Sequence, residues 1–242
     1  MLLRVATFNI RHGLGLDGRL DLARSAAVVR ALDCDIVAIQ EVDVGCARSG
    51  NLNQADELAR LTGMTPCFAP AIPLQGGLYG ILVLSRLPVT LWSTLPLPGQ
   101  EPRCLLTVDL IWAGGPLRFC ATHLDLEARQ RQLSLPLIKR AVERRGVPFV
   151  LAGDLNSTPD SGLVQSLVAA WQASASLAGP TTYPADAPTE RIDYILAGPA
   201  GAWQVQTMEV IADALTSDHR PVRATLEWIG ADDRAERRLG QP

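Results

Sequence analysis

The chain has 242 residues, 48% hydrophobic and 19% charged, the size and balance of one globular domain around a single large core. With 22 Lys+Arg against 25 Asp+Glu, the formal net charge is −3. That excludes a general basic excess able to draw in a polyanion over long range, while a local basic groove stays open.

From the N-terminus, MLLRVATFNI enters an apolar strand pattern at once, without the charged leader, long apolar core and cleavage site of an export signal. Strand patterns over Leu2–Asn9 and Asp35–Gln40 flank a helical one over Leu20–Leu32, and a second helix is expected at Gln54–Leu61. Further strands are expected at Tyr79–Leu84, Cys104–Trp112 and Leu117–His123. Then comes a helix over Ala128–Arg145, which Pro136 should kink or split. Val147–Ala152 reads as a strand and Ser161–Ala170 as a helix, and Ile192–Leu196, Trp203–Ile211 and Val222–Trp228 close the series as strands. Strand–helix–strand units beside runs of consecutive strands imply a mixed α/β sheet system with helices outside. The domain is expected to span 1–229. Residues 230–242, rich in Asp, Glu and Arg with little to bury, read as a solvated, flexible tail.

Five cysteines (Cys34, Cys46, Cys67, Cys104 and Cys120) are widely spaced, form no Cys-x-x-Cys pair and read as reduced thiols. No apolar run reaches the roughly 18 residues of a membrane span. Together these features predict a cytoplasmic protein with no integral membrane contact and no obligate protein partner. Trp92, Trp112, Trp171, Trp203 and Trp228 fall in strand or helix patterns and read as packing rather than as base-stacking platforms.

Polar residues recur at the ends of otherwise apolar strands. Asn9 follows VATF, Glu41 follows DIVAIQ, His123 follows LRFCAT and Asp154 follows PFVLAG. Strand carboxyl ends form the crevice of open α/β sheets, so four such residues on separate strands suggest one shared site. A divalent cation would resolve the cost of burying unpaired carboxylates. In GDLNS, Asp154 and Asn156 would share one side of an extended chain and could hold the same water; the same string reads equally well as a turn. Asp193 interrupts the apolar RIDYIL and needs a partner, for which His219 in SDHRPV is the candidate. A carboxylate on one ring nitrogen would fix the tautomer and raise the pKa, leaving the other nitrogen as a charged donor to a phosphoryl oxygen.

Taken together, TFNIRHG (Thr7–Gly13), IQEVD (Ile39–Asp43), ATHLD (Ala121–Asp125), AGDLNSTPDS (Ala152–Ser161), RIDYIL (Arg191–Leu196) and SDHRPV (Ser217–Val222) resemble the endonuclease/exonuclease/phosphatase superfamily, also called deoxyribonuclease-I-like. They occur in family order and cover nearly the whole chain. The resemblance implies a four-layer α/β sandwich, two mixed β-sheets packed face to face with helices outside. It implies Glu41 as principal metal ligand, with Asn9 and Asp218 beside it, and Asp154 orienting or deprotonating the attacking water. Asn156 would contact the scissile phosphate, His219 held by Asp193 would stabilise charge at phosphorus, and His123 would stabilise or protonate the leaving oxygen.

The oxygen-rich set independently suits Mg²⁺ or Mn²⁺. The expected activity is metal-dependent hydrolysis of a phosphodiester or phosphomonoester by in-line attack of water, on a small molecule, a lipid head group or nucleic acid. A DNA-specific endo- or exonuclease or abasic-site nuclease is the alternative, and a non-catalytic binding module ranks below both. Arg48 and Arg103 are candidate phosphate clamps, with surface ion pairing equally compatible, and His12 is a candidate substrate contact. Ile81 stands where many relatives have Asn, which removes one polar contact.

Overall fold

The computed structural model describes residues 1–171 and 179–230, so the expected tail lies almost wholly outside the described residues. Within them the strands are β1 (Leu2–Asn9), β2 (Ile36–Val44), β3 (Thr65–Leu74), β4 (Gly77–Ser85), β5 (Val89–Leu97), β6 (Arg103–Trp112), β7 (Gly115–His123), β8 (Phe149–Asp154), β9 (Asp193–Gly198), β10 (Trp203–Val210) and β11 (Val222–Trp228). The helices are α1 (Leu22–Leu32), α2 (Gln54–Thr62), α3 (Ala128–Val142) and α4 (Gly162–Trp171). One sheet runs β10-β11-β1-β2-β4-β3 and the other β5-β6-β7-β8-β9. Each contains one parallel pair, β1 with β2 and β7 with β8, and is otherwise antiparallel.

Two-residue alternation sorts the strands into four layers. On β1, Leu3 and Val5 point into the core between the sheets, while Ala6 and Phe8 meet Val29, Leu32 and Leu58 of α1 and α2 on the other face. β8 divides likewise: Val150 and Ala152 face the inter-sheet core, Phe149 and Leu151 face Ile138, Leu163 and Trp171 of α3 and α4. Strands buried on both faces read as unbroken apolar runs, which is why the central strands stood out in the sequence.

β3 and β5 are the two strands that the pattern did not announce. Pro66, Pro70 and Pro73 lie in the first and Pro96 in the second. Both are edge strands, where a missing N–H on the open side costs no ladder bond. Pro136 does not split α3, which runs unbroken from Ala128 to Val142. Pro136 and Gln132, the residue one turn earlier whose carbonyl it deprives of a donor, are both exposed. Trp112 stacks on Trp203 at 5.4 Å, Trp203 meets Trp228 edge-on at 5.0 Å and Trp171 meets Phe149 at 5.2 Å. Trp92 departs from the expected packing, standing 47% exposed on the edge strand β5. All five cysteines are free and buried. No helix among the described residues is long and apolar enough to cross a membrane.

Candidate active site

The carboxyl ends of the two parallel pairs converge. Asn9 is the last residue of β1, His123 of β7 and Asp154 of β8. His123 is paired with Asp154 across β7 and β8, and Asp154 with Asp193 across β8 and β9. Three site residues thus lie side by side because of strand register alone. On β2 the strand continues past the expected end at Gln40. A register shift between Ile39 and Val42 turns Glu41 to φ 60°, a left-handed conformation for a non-glycine residue, and its carboxylate enters the same cleft.

At the centre is Asp154, buried to 1% exposure. Its Oδ2 receives Asn9 Nδ2 at 3.2 Å and lies 3.4 Å from His123 Nε2 and 3.7 Å from His219 Nε2. Burial, then the neighbouring Asp193 carboxylate, pushes the Asp154 carboxyl up to about 7. His219 Nδ1 lies 3.0 Å from Asp193 Oδ2. Burial favours the neutral ring of His219, but Asp193, through its charge and this hydrogen bond, overrides it and raises the pKa to about 10. His123 goes the other way: burial, with Arg103 and His219 as neighbours, takes it well below the usual histidine value.

GDLNS proves to be a turn rather than a continued strand. Asn156 sits at φ 46° and donates its backbone N–H to Asp154 Oδ1 at 2.9 Å. Its Nδ2 donates to the Leu124 carbonyl at 2.8 Å, and the residue still lines the cleft beside Asp154.

Glu41 Oε1 accepts from Asn9 Nδ2 at 3.0 Å. Burial, relieved in part by that hydrogen bond and reinforced by Asp218, raises its pKa. Asp218, across the cleft, lies 3.5 Å from Arg11 Nε. A carboxylate that burial disfavours, facing a second one with oxygen-only donors, fits a hard divalent cation. Asn9 Oδ1 accepts the Arg11 N–H at 3.1 Å, so Asn9 enters the cluster as the donor that orients Glu41 and Asp154. Asp154, Asp193 and His219 also offer ligand atoms within 4.8 Å of one another. There, however, Asp193 and His219 are already joined by a hydrogen bond that an ion would have to displace.

Glu41, His123, Asp154, Asn156, Asp218 and His219 line a cleft of about 560 Å³, with Asn9 and Asp193 behind its wall. Arg48 and Arg103 stand in its wall; Arg48 is held by Asp43 through two contacts of 2.8 Å and lies over the Tyr79 ring. His12 is not part of the lining, and its Nδ1 is buried without a hydrogen-bond partner. Burial and Arg48 lower its pKa. Ile81 is buried in the inter-sheet core. Residues the sequence did not single out are Ile72 and Leu74 of β3, Tyr79 of β4, and Glu101, Leu126, Tyr183, Glu190 and Ile192. Tyr183 packs its ring 4.9 Å from that of His219. Most of them come from an unannounced edge strand or from loops; Tyr79, which opens the expected strand Tyr79–Leu84, and Ile192, within RIDYIL, were the two with a visible signal.

A sequence profile of the Endonuclease/Exonuclease/phosphatase family matches residues 6–219. The chain belongs to this family. Its members are hydrolases acting on phosphate esters, and the two mixed sheets with helices outside are the four-layer sandwich expected from the resemblance. An endonuclease/exonuclease/phosphatase protein from Beutenbergia cavernae is similar at 29% identity and TM-score 0.77, covering 95% of this chain and 72% of its own. Two more distant structures share the fold. A mannosyl-6-phosphatase from Bacteroides thetaiotaomicron has 18% identity and TM-score 0.73, covering 93% and 100% of the two chains. The human Nocturnin catalytic domain with bound sulfate has 17% identity and TM-score 0.71, covering 94% and 93%. Among curated proteins, none matches this sequence.

Proposed function

We propose that this endonuclease/exonuclease/phosphatase protein is a divalent-metal-dependent phosphoesterase that hydrolyses a small phosphate ester by in-line attack of water. The observation that carries the proposal is the placing of Asp154: a buried carboxylate with a pKa raised to about 7, facing Asn9, His123 and His219. A base poised near neutral pH suits abstraction of a proton from water. Asp154 would orient that water and take its proton, with Asn9 fixing the carboxylate. His219, kept charged by Asp193, would donate from Nε2 to a phosphoryl oxygen, and Asn156 would contact the phosphate. Arg48, braced by Asp43, would contact a further phosphate oxygen. Glu41 and Asp218 would hold Mg²⁺ or Mn²⁺, which would neutralise phosphate charge and stabilise charge developing on oxygen.

Two features favour a small ester over a polyanion. Glu101 and Glu190 are exposed at the cleft, and the net charge is −3; both would repel a long run of phosphates. The check is hydrolysis of an aryl phosphodiester, an aryl phosphomonoester, a sugar phosphate, sphingomyelin and plasmid DNA with Mg²⁺, Mn²⁺ or EDTA. The expected result is metal-dependent turnover of a small ester that falls by at least about 10² in Asp154→Ala and in His219→Ala. Preferred cleavage of DNA, with binding that weakens steeply in salt, would replace this reading with the nuclease one. Stereochemical retention at a chiral phosphate would rule out direct attack by water.

A further inference from the structure

His219 and His123 flank the same carboxylate oxygen, but their other ring nitrogens have opposite partners. His219 Nδ1 meets the Asp193 carboxylate, an acceptor. His123 Nδ1 meets Arg103 Nη1 at 3.3 Å, and a guanidinium has only donors to offer. The contact is therefore a hydrogen bond only if Nδ1 of His123 carries its lone pair. The ring proton must then sit on Nε2, which faces Asp154 Oδ2 at 3.4 Å, an acceptor that agrees with this choice. Both members of the pair are buried, Arg103 to 7% exposure and His123 to 6%. Arg103 is anchored as the first residue of β6 and its Nη1 also meets Glu101 Oε1 at 3.2 Å, so this guanidinium nitrogen is already committed within the protein.

We propose that Arg103 is a positioning residue that fixes the tautomer of His123, with Nδ1 as acceptor and the proton on Nε2, rather than chiefly a clamp on substrate phosphate. His123 then supplies a neutral Nε2–H donor that polarises an oxygen and cannot accept the proton of the attacking water at that nitrogen. Between the two groups, proton uptake falls to Asp154. A neutral imidazole is also a poor proton source, so His123 stabilises the leaving oxygen rather than protonating it. This catalytic consequence rests on the phosphoesterase reading; the tautomer itself does not.

With three histidines in the chain, the imidazole nitrogens can be assigned by long-range ¹H–¹⁵N correlation on the intact protein, with and without Mg²⁺, independently of any turnover. The wild type should show His123 with a bare Nδ1 and a protonated Nε2. Arg103→Lys, which keeps a donor, should preserve that pattern, and Arg103→Met, which removes it, should move Nδ1 toward the protonated form. A protonated Nδ1 in the wild type, or an unchanged His123 in Arg103→Met, overturns the proposal. On an ester that is turned over, Arg103→Met should lower kcat by at least about 10-fold with KM within about twofold. A rise in KM with kcat intact would assign Arg103 to phosphate binding instead. If no ester is turned over, the nitrogen shifts still decide the tautomer, so failure of the activity reading and failure of this one are told apart.

Discussion

Asp193 and His219 show how a single residue pair sets charge against burial. Asp193 is 1% exposed and its Oδ1 has no hydrogen-bond partner, so its one hydrogen bond from His219 carries much of its compensation. Burial alone would neutralise the ring; the carboxylate wins and takes the pKa from the ordinary 6.5 to about 10. A base whose pKa is raised on folding adds stability that is fully present below the unfolded value and is lost as pH rises through the folded one. Asp193→Asn should therefore cost most stability at about pH 6, and the gap to wild type should narrow steadily toward about pH 10. Thermal denaturation of both proteins across that range measures it. A gap that held constant or widened with pH would mean that His219 is not charged in the folded protein.

At the scale of elements, the sequence disclosed most where burial is two-sided and least at sheet edges. β1, β2, β8 and β9 are apolar nearly throughout, so Asn9, Glu41, Asp154 and Asp193 were visible as interruptions. β3 and β5 were hidden because their prolines are tolerated at an edge, and with β3 went Ile72 and Leu74 of the cleft wall. The bulge that turns Glu41 into the site was also illegible, since a shift of register is a property of two strands and not of either one. So was the pairing of Arg103 with His123, which depends on how β6 lies against β7. Gly153 shows how tight this framework is: a Cβ there would lie 2.0 Å from the Thr122 carbonyl oxygen on the neighbouring strand β7. Gly153→Ala should thus force β7 and β8 apart between His123 and Asp154, at a cost of about 1–3 kcal/mol. Chemical denaturation should show that loss, and turnover should fall with it; a variant as stable as wild type would mean that the two strands have room to part.

For the molecule as a whole, the sandwich holds a site whose buried carboxylates work against the fold, a cost that the proposed cation would relieve. The pKa of Glu41 is raised above its ordinary 4.5 in the protein without metal, first by burial and further by Asp218. At neutral pH its ionised form therefore costs stability, and a neutral amide that still accepts from Asn9 removes that cost. In EDTA, Glu41→Gln should melt at a higher temperature than wild type. Mg²⁺ at about 100 times its Kd should then add about 2.7 kcal/mol to the wild type, a rise of roughly 5–10 °C for a chain of this size. The variant should gain little, and the order of melting temperatures should invert between EDTA and Mg²⁺. Calorimetry in the two buffers separates the possible ion positions. If Glu41→Gln gained as much as wild type while Asp193→Asn did not, the ion would lie among Asp154, Asp193 and His219. The hydrogen bond between Asp193 and His219 would then have to open to admit it, and His219 could not serve as the charged donor while the ion was bound.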